Sequence, residues 1–238
     1  MTALSVIARR RSGGGAFDPS TISGLRVWHK MDAGVTQAAG KVTALADQSG
    51  NSNGATQATG ANQFTYVASG QNGLPVARAA SGQYMYCPYA LGASFTLFLI
   101  GRTANNTQSS GFMTSTLVGS PTPTDGSPRV YLNQNAGTSW RALLENSTYA
   151  PVGSAIAAND IFTLVVADTG TAQAVYFNGT QTNFALATAG SDTAFYWGSG
   201  FAGGMTGDFF EGGFYNTAIS PAQAASLHTY AVSKWVAP

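Results

Sequence analysis

The sequence predicts an all-β fold, two packed antiparallel sheets with one short helix near the C-terminus. Three observations predict it. Charged residues make up 9% of the 238 residues, against about a quarter in ordinary domains, and water-facing helices draw on Glu, Lys and Arg for their outer faces. The polar complement is instead Gly (29 residues) with Ser, Thr, Asn and Gln, which suits turns and strands. Short apolar runs recur at the spacing of a sandwich.

The elements follow in order. Residues 1–16 read as an arm, with apolar Leu4, Val6 and Ile7, then Arg9, Arg10 and Arg11, then a Gly-Ser connector over 12–15. Phe17-Asp18-Pro19-Ser20 opens a body over 17–238 that shows no internal boundary or repeat. Residues 25–28 form a short strand. The polar stretch over 47–63 reads as a long ordered surface loop, because aromatics resume at Phe64 and Tyr66. Residues 95–100 are apolar on both faces, as in a strand covered by two layers. Residues 129–132 and 140–144 are two more strands, and 162–167 is another buried run. Residues 174–177 and 180–182 flank Asn178-Gly179, which supplies the positive φ angles of a type I′ hairpin. Residues 209–215 form the last strand. Ser220 as cap, Pro221 at the first helical position and Gln223 three residues on start a helix over 221–234, with Ala224, Leu227 and Ala231 on one face.

Net charge is +1, unevenly placed: beyond the three arginines of the arm there are eight basic and ten acidic residues, so the body is near −2. A nucleic-acid-binding body is expected to carry a basic face, and this one does not. No stretch approaches a membrane span. The N-terminal charges follow a short apolar run, the reverse of a secretory leader, so any export is expected by another route such as lysis. Cys87 is the only cysteine, which excludes an intrachain disulfide and leaves the compartment unread from redox.

The order of three early segments (22–28, 42–51, 72–76) and three late ones (162–166, 175–179, 207–220) resembles a concanavalin-A-like, laminin-G-like jelly roll. The likeness covers nearly all of 20–235. A basic arm, then Phe-x-Pro, then this domain is also similar to what tailed bacteriophages encode among their virion proteins. Where the family pattern carries a bulky apolar residue after the final-strand Glu, this chain has Gly212 and Gly213. The jelly roll hosts lectins, adhesion modules, hydrolases and capsid parts, so the resemblance implies fold more than function.

The chemistry then narrows. A glycosidase needs two carboxylates flanking the scissile bond, and Glu occurs only at 145 and 211. Strand alternation puts Asp208 and Glu211 on opposite faces and Glu211 on the face of Phe209 and Tyr215. Glu211 therefore reads as a structural carboxylate bonded to loop backbone. His29 and His228 have no Gly-x-Ser-x-Gly elbow to serve and read as structural. Cys87, among Tyr84, Tyr86 and Tyr89, reads as a small buried hydrophobe. One Cys and two isolated His leave no zinc spacing. Residues 198–203 match Gly-x-Gly-x-x-Gly, but no helix follows, which a dinucleotide site requires. No cofactor is expected and no residue is assigned as catalytic. The resemblance leaves room for a structural calcium ion, with Asp47, Asp125, Asp168 and Asp192 in loops as candidate oxygen ligands and turn capping as the alternative role of each.

The leading expectation is a non-enzymatic structural protein of a bacteriophage virion, a capsid decoration, spike or tail fibre module located in the virion. Leu4, Val6, Ile7, Arg9, Arg10 and Arg11 would attach it to capsid or tail proteins, and the assembly would hold several copies. The alternative is an extracellular carbohydrate-binding lectin module for host surface glycan, since low charge with many Asn, Gln, Thr and Tyr suits a glycan surface. Neither a membrane nor nucleic acid is an expected partner of the body.

Overall fold

The computed structural model describes residues 17–104, 110–116, 130–135, 139–144, 148–154, 157–185, 193–198 and 206–236. These carry β1 (Leu25–Lys30), β2 (Val35–Ala38), β3 (Lys41–Leu45), β4 (Ala55–Thr56), β5 (Thr65–Gln71), β6 (Leu74–Ala79), β7 (Met85–Cys87) and β8 (Phe95–Thr103). They continue with β9 (Ser110–Thr116), β10 (Val130–Asn135), β11 (Ser139–Leu144), β12 (Thr148–Ser154), β13 (Ile161–Asp168), β14 (Ala172–Phe177), β15 (Thr180–Ala185), β16 (Ala194–Trp197) and β17 (Gly207–Tyr215). Helix α1 (Pro221–Ala231) runs on into a π-helical turn, Val232–Val236.

Every described strand pair is antiparallel, and the pairs form two layers. One runs β15–β14–β13–β8–β17. The far edge of β17 is shared, with β6 along residues 207–209 and β1 along 211–215, and β5 lies beyond β6. The other layer runs β12–β11–β10–β9–β16–β7. β3 joins the layers, pairing with β2 and β4 and meeting β5 at Lys41–Thr65. The chain is therefore the predicted all-β sandwich.

Alternation along the strands sends one set of side chains between the layers. Leu97, Leu99, Leu164, Val166, Val175, Phe177, Phe209 and Phe214 of the first layer meet Met85, Cys87, Met113, Phe195 and Trp197 of the second. The outer set of the first layer is covered by α1. Ala224 and Leu227 pack over Phe98, Val165, Tyr176 and Tyr215, and Trp235 stacks on Phe210 with ring centroids 4.8 Å apart. This is why β8 and β13 read as unbroken apolar runs: both their faces are buried, and each large apolar side chain contributes about 1.5–3 kcal/mol.

The helix starts as its sequence dictates. Ser220 Oγ accepts from Gln223 N at 3.3 Å and Gln223 Oε1 accepts from Ser220 N at 2.8 Å, completing the capping box. The β14–β15 turn places Asn178 at φ 47° and Gly179 at φ 81°, the expected type I′ geometry. The polar stretch after β3 is ordered and contains β4 and a 3-10 turn, Gly60–Asn62.

One local feature departs from the period-2 expectation. The register of β17 against β8 shifts between Phe209 and Glu211, a β-bulge. Phe209 lies in the core between the layers, but Phe210 packs on Trp235 under the helix and Glu211 bonds to the same helical segment. Glu211 therefore does not share a face with Phe209. Asp208, whose partner Arg102 lies 5.8 Å from the Phe210 ring, is on the helix side too. The expectation that Asp208 and Glu211 face opposite ways is corrected: the extra residue of the bulge reverses the alternation between them.

The glycines after Glu211 are explained by what surrounds them. A Cβ on Gly212 would meet Trp197 Cη2 at 2.8 Å, and one on Gly213 would meet Val27 O at 2.3 Å. The indole of Trp197 and the backbone of β1 occupy the space that a side chain would need.

Candidate functional site

The carboxylates singled out in the sequence are held in two buried networks. Glu211 is fully buried. Its Oε1 accepts from Trp28 Nε1 and Tyr230 Oη, each at 2.7 Å, and its Oε2 accepts from Lys234 Nζ at 2.9 Å and Trp235 Nε1 at 3.2 Å. The expected loop-backbone partners are replaced by four side chains, three of them from the helix and the turn after it. Burial pushes the Tyr230 hydroxyl well above its ordinary pKa, with the Glu211 charge and the hydrogen bond adding to it, so it stays a donor. Asp208 Oδ1 accepts from Arg78 Nε at 2.8 Å, and Arg102 closes on Oδ2 through Nε and Nη2. Each carboxylate is thus matched by cationic donors, which buried charges require.

His29 lies in the core. Its Nδ1 accepts from Trp197 Nε1 at 2.9 Å, so the ring proton sits on Nε2 and is donated to Asn53 O at 2.9 Å. Burial lowers its pKa to about 4, against the opposing pull of that hydrogen bond and of Asp47. Cys87 is buried, its thiol 3.4 Å from the same Asn53 O, and burial pushes its pKa well up. Such a thiol is inert rather than nucleophilic. His228 on α1 meets Thr163 Oγ1 at 2.6 Å through Nδ1, and burial lowers its pKa. These residues hold the fold together, as the sequence suggested.

Of the candidate calcium ligands, Asp47 ties its own loop to β1. Oδ1 accepts from Trp28 N and Ser49 N, and Oδ2 accepts from Ser49 Oγ and Asn53 N, all at 2.8–2.9 Å. Asp168 caps the β13–β14 turn, accepting from Gly170 N at 2.6 Å and Gln173 Nε2 at 2.8 Å. Both spend their oxygens on protein donors. No group of three His, Cys, Asp or Glu converges among the described residues. Asp125, Asp192, Glu145, the glycines beyond Gly198 in the Gly-x-Gly-x-x-Gly match, and Leu4, Val6, Ile7, Arg9, Arg10 and Arg11 of the arm lie outside the described residues.

Two open recesses flank the helix. One, of about 390 Å³, lies by its C-terminal end among Gln71, Asn159, Asp160, Ile161, Asn178 and Val236. The other, of about 220 Å³, lies between β13–β15 and the start of α1. Its lining includes Ala167, Ala172, Ala174 and Ala218, with Tyr176, Ile219 and Pro221 as larger apolar groups and Thr169, Gln181 and Asn183 as polar ones. None of its described lining residues is charged. Gln181 and Asn183 are two apart on β15 and exposed, and Gln181 Nε2 donates to Asn183 Oδ1 at 2.8 Å. That bond leaves an amide carbonyl on Gln181 and an amide N–H on Asn183 to serve a ligand, one acceptor beside one donor. The recess is thus lined by small apolar side chains, the edge of the largely buried Tyr176 and a paired amide acceptor and donor. In the sequence, 180–182 is legible only as half of a hairpin. Its signal was the alternation Gln181-x-Asn183, which puts two amides on one face of a strand.

No protein-family model matches the chain, and no curated protein matches it. Solved structures do. The chain is similar to Trypanosoma rangeli sialidase in complex with the inhibitor DANA (17% identity, TM-score 0.63), over 87% of this chain and 33% of the sialidase. It is similar to domain 4 of a GH43 extracellular arabinanase from Geobacillus stearothermophilus in complex with arabinotriose (18% identity, TM-score 0.62), over 86% of this chain and 98% of that domain. A GH54 α-L-arabinofuranosidase matches at 14% identity and TM-score 0.63, over 88% of this chain and 62% of the enzyme. The likeness at this identity establishes the β-sandwich, jelly-roll-like fold. The chain spans about a third of the length of the sialidase.

One expectation is corrected here and another gains no support. The flat exclusion of enzymatic activity is overturned, because the solved neighbours include a sialidase and an arabinofuranosidase, which are enzymes. The exclusion also leaned on the facing of Asp208 and Glu211, which the bulge reverses. The virion reading gains nothing from these neighbours, which belong to carbohydrate-active proteins.

Proposed function

We propose that this chain is a laminin-G-like carbohydrate-binding module that takes a neutral sugar into the groove between β13–β15 and the start of α1. The observation that carries the reading is the Gln181–Asn183 amide pair beside Tyr176 in a groove lined with alanines. A pyranose or furanose presents hydroxyls that both donate and accept, and the free carbonyl and N–H of the pair answer one hydroxyl in each sense. Its C–H face would lie on the alanines and on the small exposed edge of Tyr176. The arabinanase domain, matched over nearly its whole length and solved with arabinotriose, supports the reading by fold and by ligand class. The lack of lining charge favours neutral over carboxylated sugars, since burying an unpaired carboxylate is costly.

A glycan array that includes arabino-oligosaccharides, neutral hexose oligomers and sialylated glycans tests it. Binding confined to neutral members is expected. Binding of sialylated members alone, or of none, contradicts the reading.

A further inference from the structure

We propose that Lys234 and Asp32 condense into an intramolecular isopeptide bond, with Glu211 as the catalytic acid–base. Lys234 Nζ lies 3.0 Å from Asp32 Oδ2 and 2.9 Å from Glu211 Oε2, so one ammonium is shared between two carboxylates. The two carboxylates have different surroundings. The Glu211 side chain is 0% exposed and accepts from both Trp28 and Trp235, while that of Asp32 is 24% exposed. Glu211 is thereby fixed as a relay, and Asp32 is the carboxyl from which a water can leave.

The reacting groups are held from both sides. Asp32 follows Met31, whose N–H donates to Phe210 O at 3.0 Å, which ties the β1–β2 turn to the bulge beside Glu211. Lys234 is pinned from the helical side, where Nζ donates to Tyr230 Oη at 3.0 Å and lies 5.1 Å from the Trp235 ring. Positioned reactants of this kind lower the barrier by their proximity, and the aromatic enclosure keeps most water away from the amine.

The step balances without any further reagent. Lys234 passes one proton to Asp32, giving an amine and a carboxylic acid. The Nζ lone pair attacks Asp32 Cγ to form a tetrahedral intermediate. Glu211 takes a proton from Nζ and delivers it to the departing hydroxyl, one C–O bond breaks, and water leaves. An ammonium and a carboxylate become one amide and one water, and Glu211 returns to its starting state. The product fastens the turn after β1 to the C-terminal helical segment. The proposal is independent of the carbohydrate reading, since it involves none of the groove residues.

Intact mass spectrometry of the full folded chain, fresh and after prolonged incubation across mildly acidic to alkaline pH, tests it. The linked chain is expected about 18 Da lighter than its sequence, the mass of one water lost in the condensation. Proteolysis should then yield a peptide containing Asp32 joined to the one containing Lys234. Asp32→Ala and Lys234→Arg should show the full mass, and Glu211→Gln should slow or abolish linkage. If Glu211→Gln does not fold, the Lys234→Arg comparison alone decides. Wild-type protein that stays folded and at full mass throughout overturns the proposal.

Discussion

Trp197 donates its indole N–H to His29 Nδ1 at 2.9 Å across the core, which fixes His29 as the neutral tautomer with its proton on Nε2. The two residues come from different layers, β16 and β1, so the bond ties the sandwich together. Protonation of Nδ1 would break it and leave a charge in a fully buried place.

That relationship predicts a pH dependence. The pKa of His29 is lowered from 6.5 to about 4 by burial. Between those values the unfolded chain binds a proton that the folded chain refuses, so stability falls as pH falls. The contribution is complete above about pH 6.5 and is lost progressively down to about pH 4, amounting to about 3 kcal/mol. Denaturant unfolding at neutral pH and near pH 4.5 checks it. The drop should be smaller in His29→Gln.

Removing the charge of Glu211 should cost more than a surface change. In freshly prepared protein still at its full mass, with no Lys234–Asp32 linkage, Glu211→Gln leaves Lys234 with only Asp32 and forces an amide N–H2 among donors from Trp28 and Trp235. A loss of about 3 kcal/mol is expected, because one member of a buried ion pair is removed. The denaturation midpoint measures it, and a change below about 0.5 kcal/mol, the size of an ordinary surface substitution, would contradict it.

The two glycines of β17 should differ. Gly212→Ala pushes on the rim of Trp197, a ring with some room to move, and should cost about 1–3 kcal/mol. Gly213→Ala pushes on the backbone carbonyl of Val27 and should cost more, because β1 itself must shift. Thermal unfolding of the two variants gives the order directly.

Much of this fold was legible in the sequence where local chemistry decides it. The capping box at Ser220, the Asn178-Gly179 turn and the apolar runs of β8 and β13 follow from rules that need no partner. The short strands β2, β4, β7 and β16 were not legible, because pairing with neighbouring strands, rather than their own pattern, makes them strands. The facing of Glu211 was misread for the same reason: a bulge answers to the register of β8 and leaves no local mark. Of the candidate site, Tyr176 was visible only as a strand residue. The groove exists because Ala218, Ile219 and Pro221 pass over β13–β15, a long-range relation no motif encodes.

The arm is expected to contribute nothing to the body's stability. The described body begins with its own lock, Asp18 Oδ1 accepting from Ser20 N at 2.8 Å and Tyr215 Oη donating to Pro19 O at 2.9 Å. Deleting residues 2–16 should leave the melting temperature within about 1 °C if the arm docks on a partner rather than on the body. A large fall would show that Leu4, Val6 and Ile7 pack on the body rather than on a partner.

Isothermal titration of arabinotriose into wild-type protein and into the Gln181→Ala/Asn183→Ala double variant tests the central claim most directly. Both side chains are exposed, so the variant should keep its melting temperature within the small effect of surface substitutions. The account predicts saturable binding to the wild type and at least a tenfold weaker association with the variant, a loss of about 1.4 kcal/mol or more. Equal affinity for both proteins would place the sugar outside the groove and contradict the account.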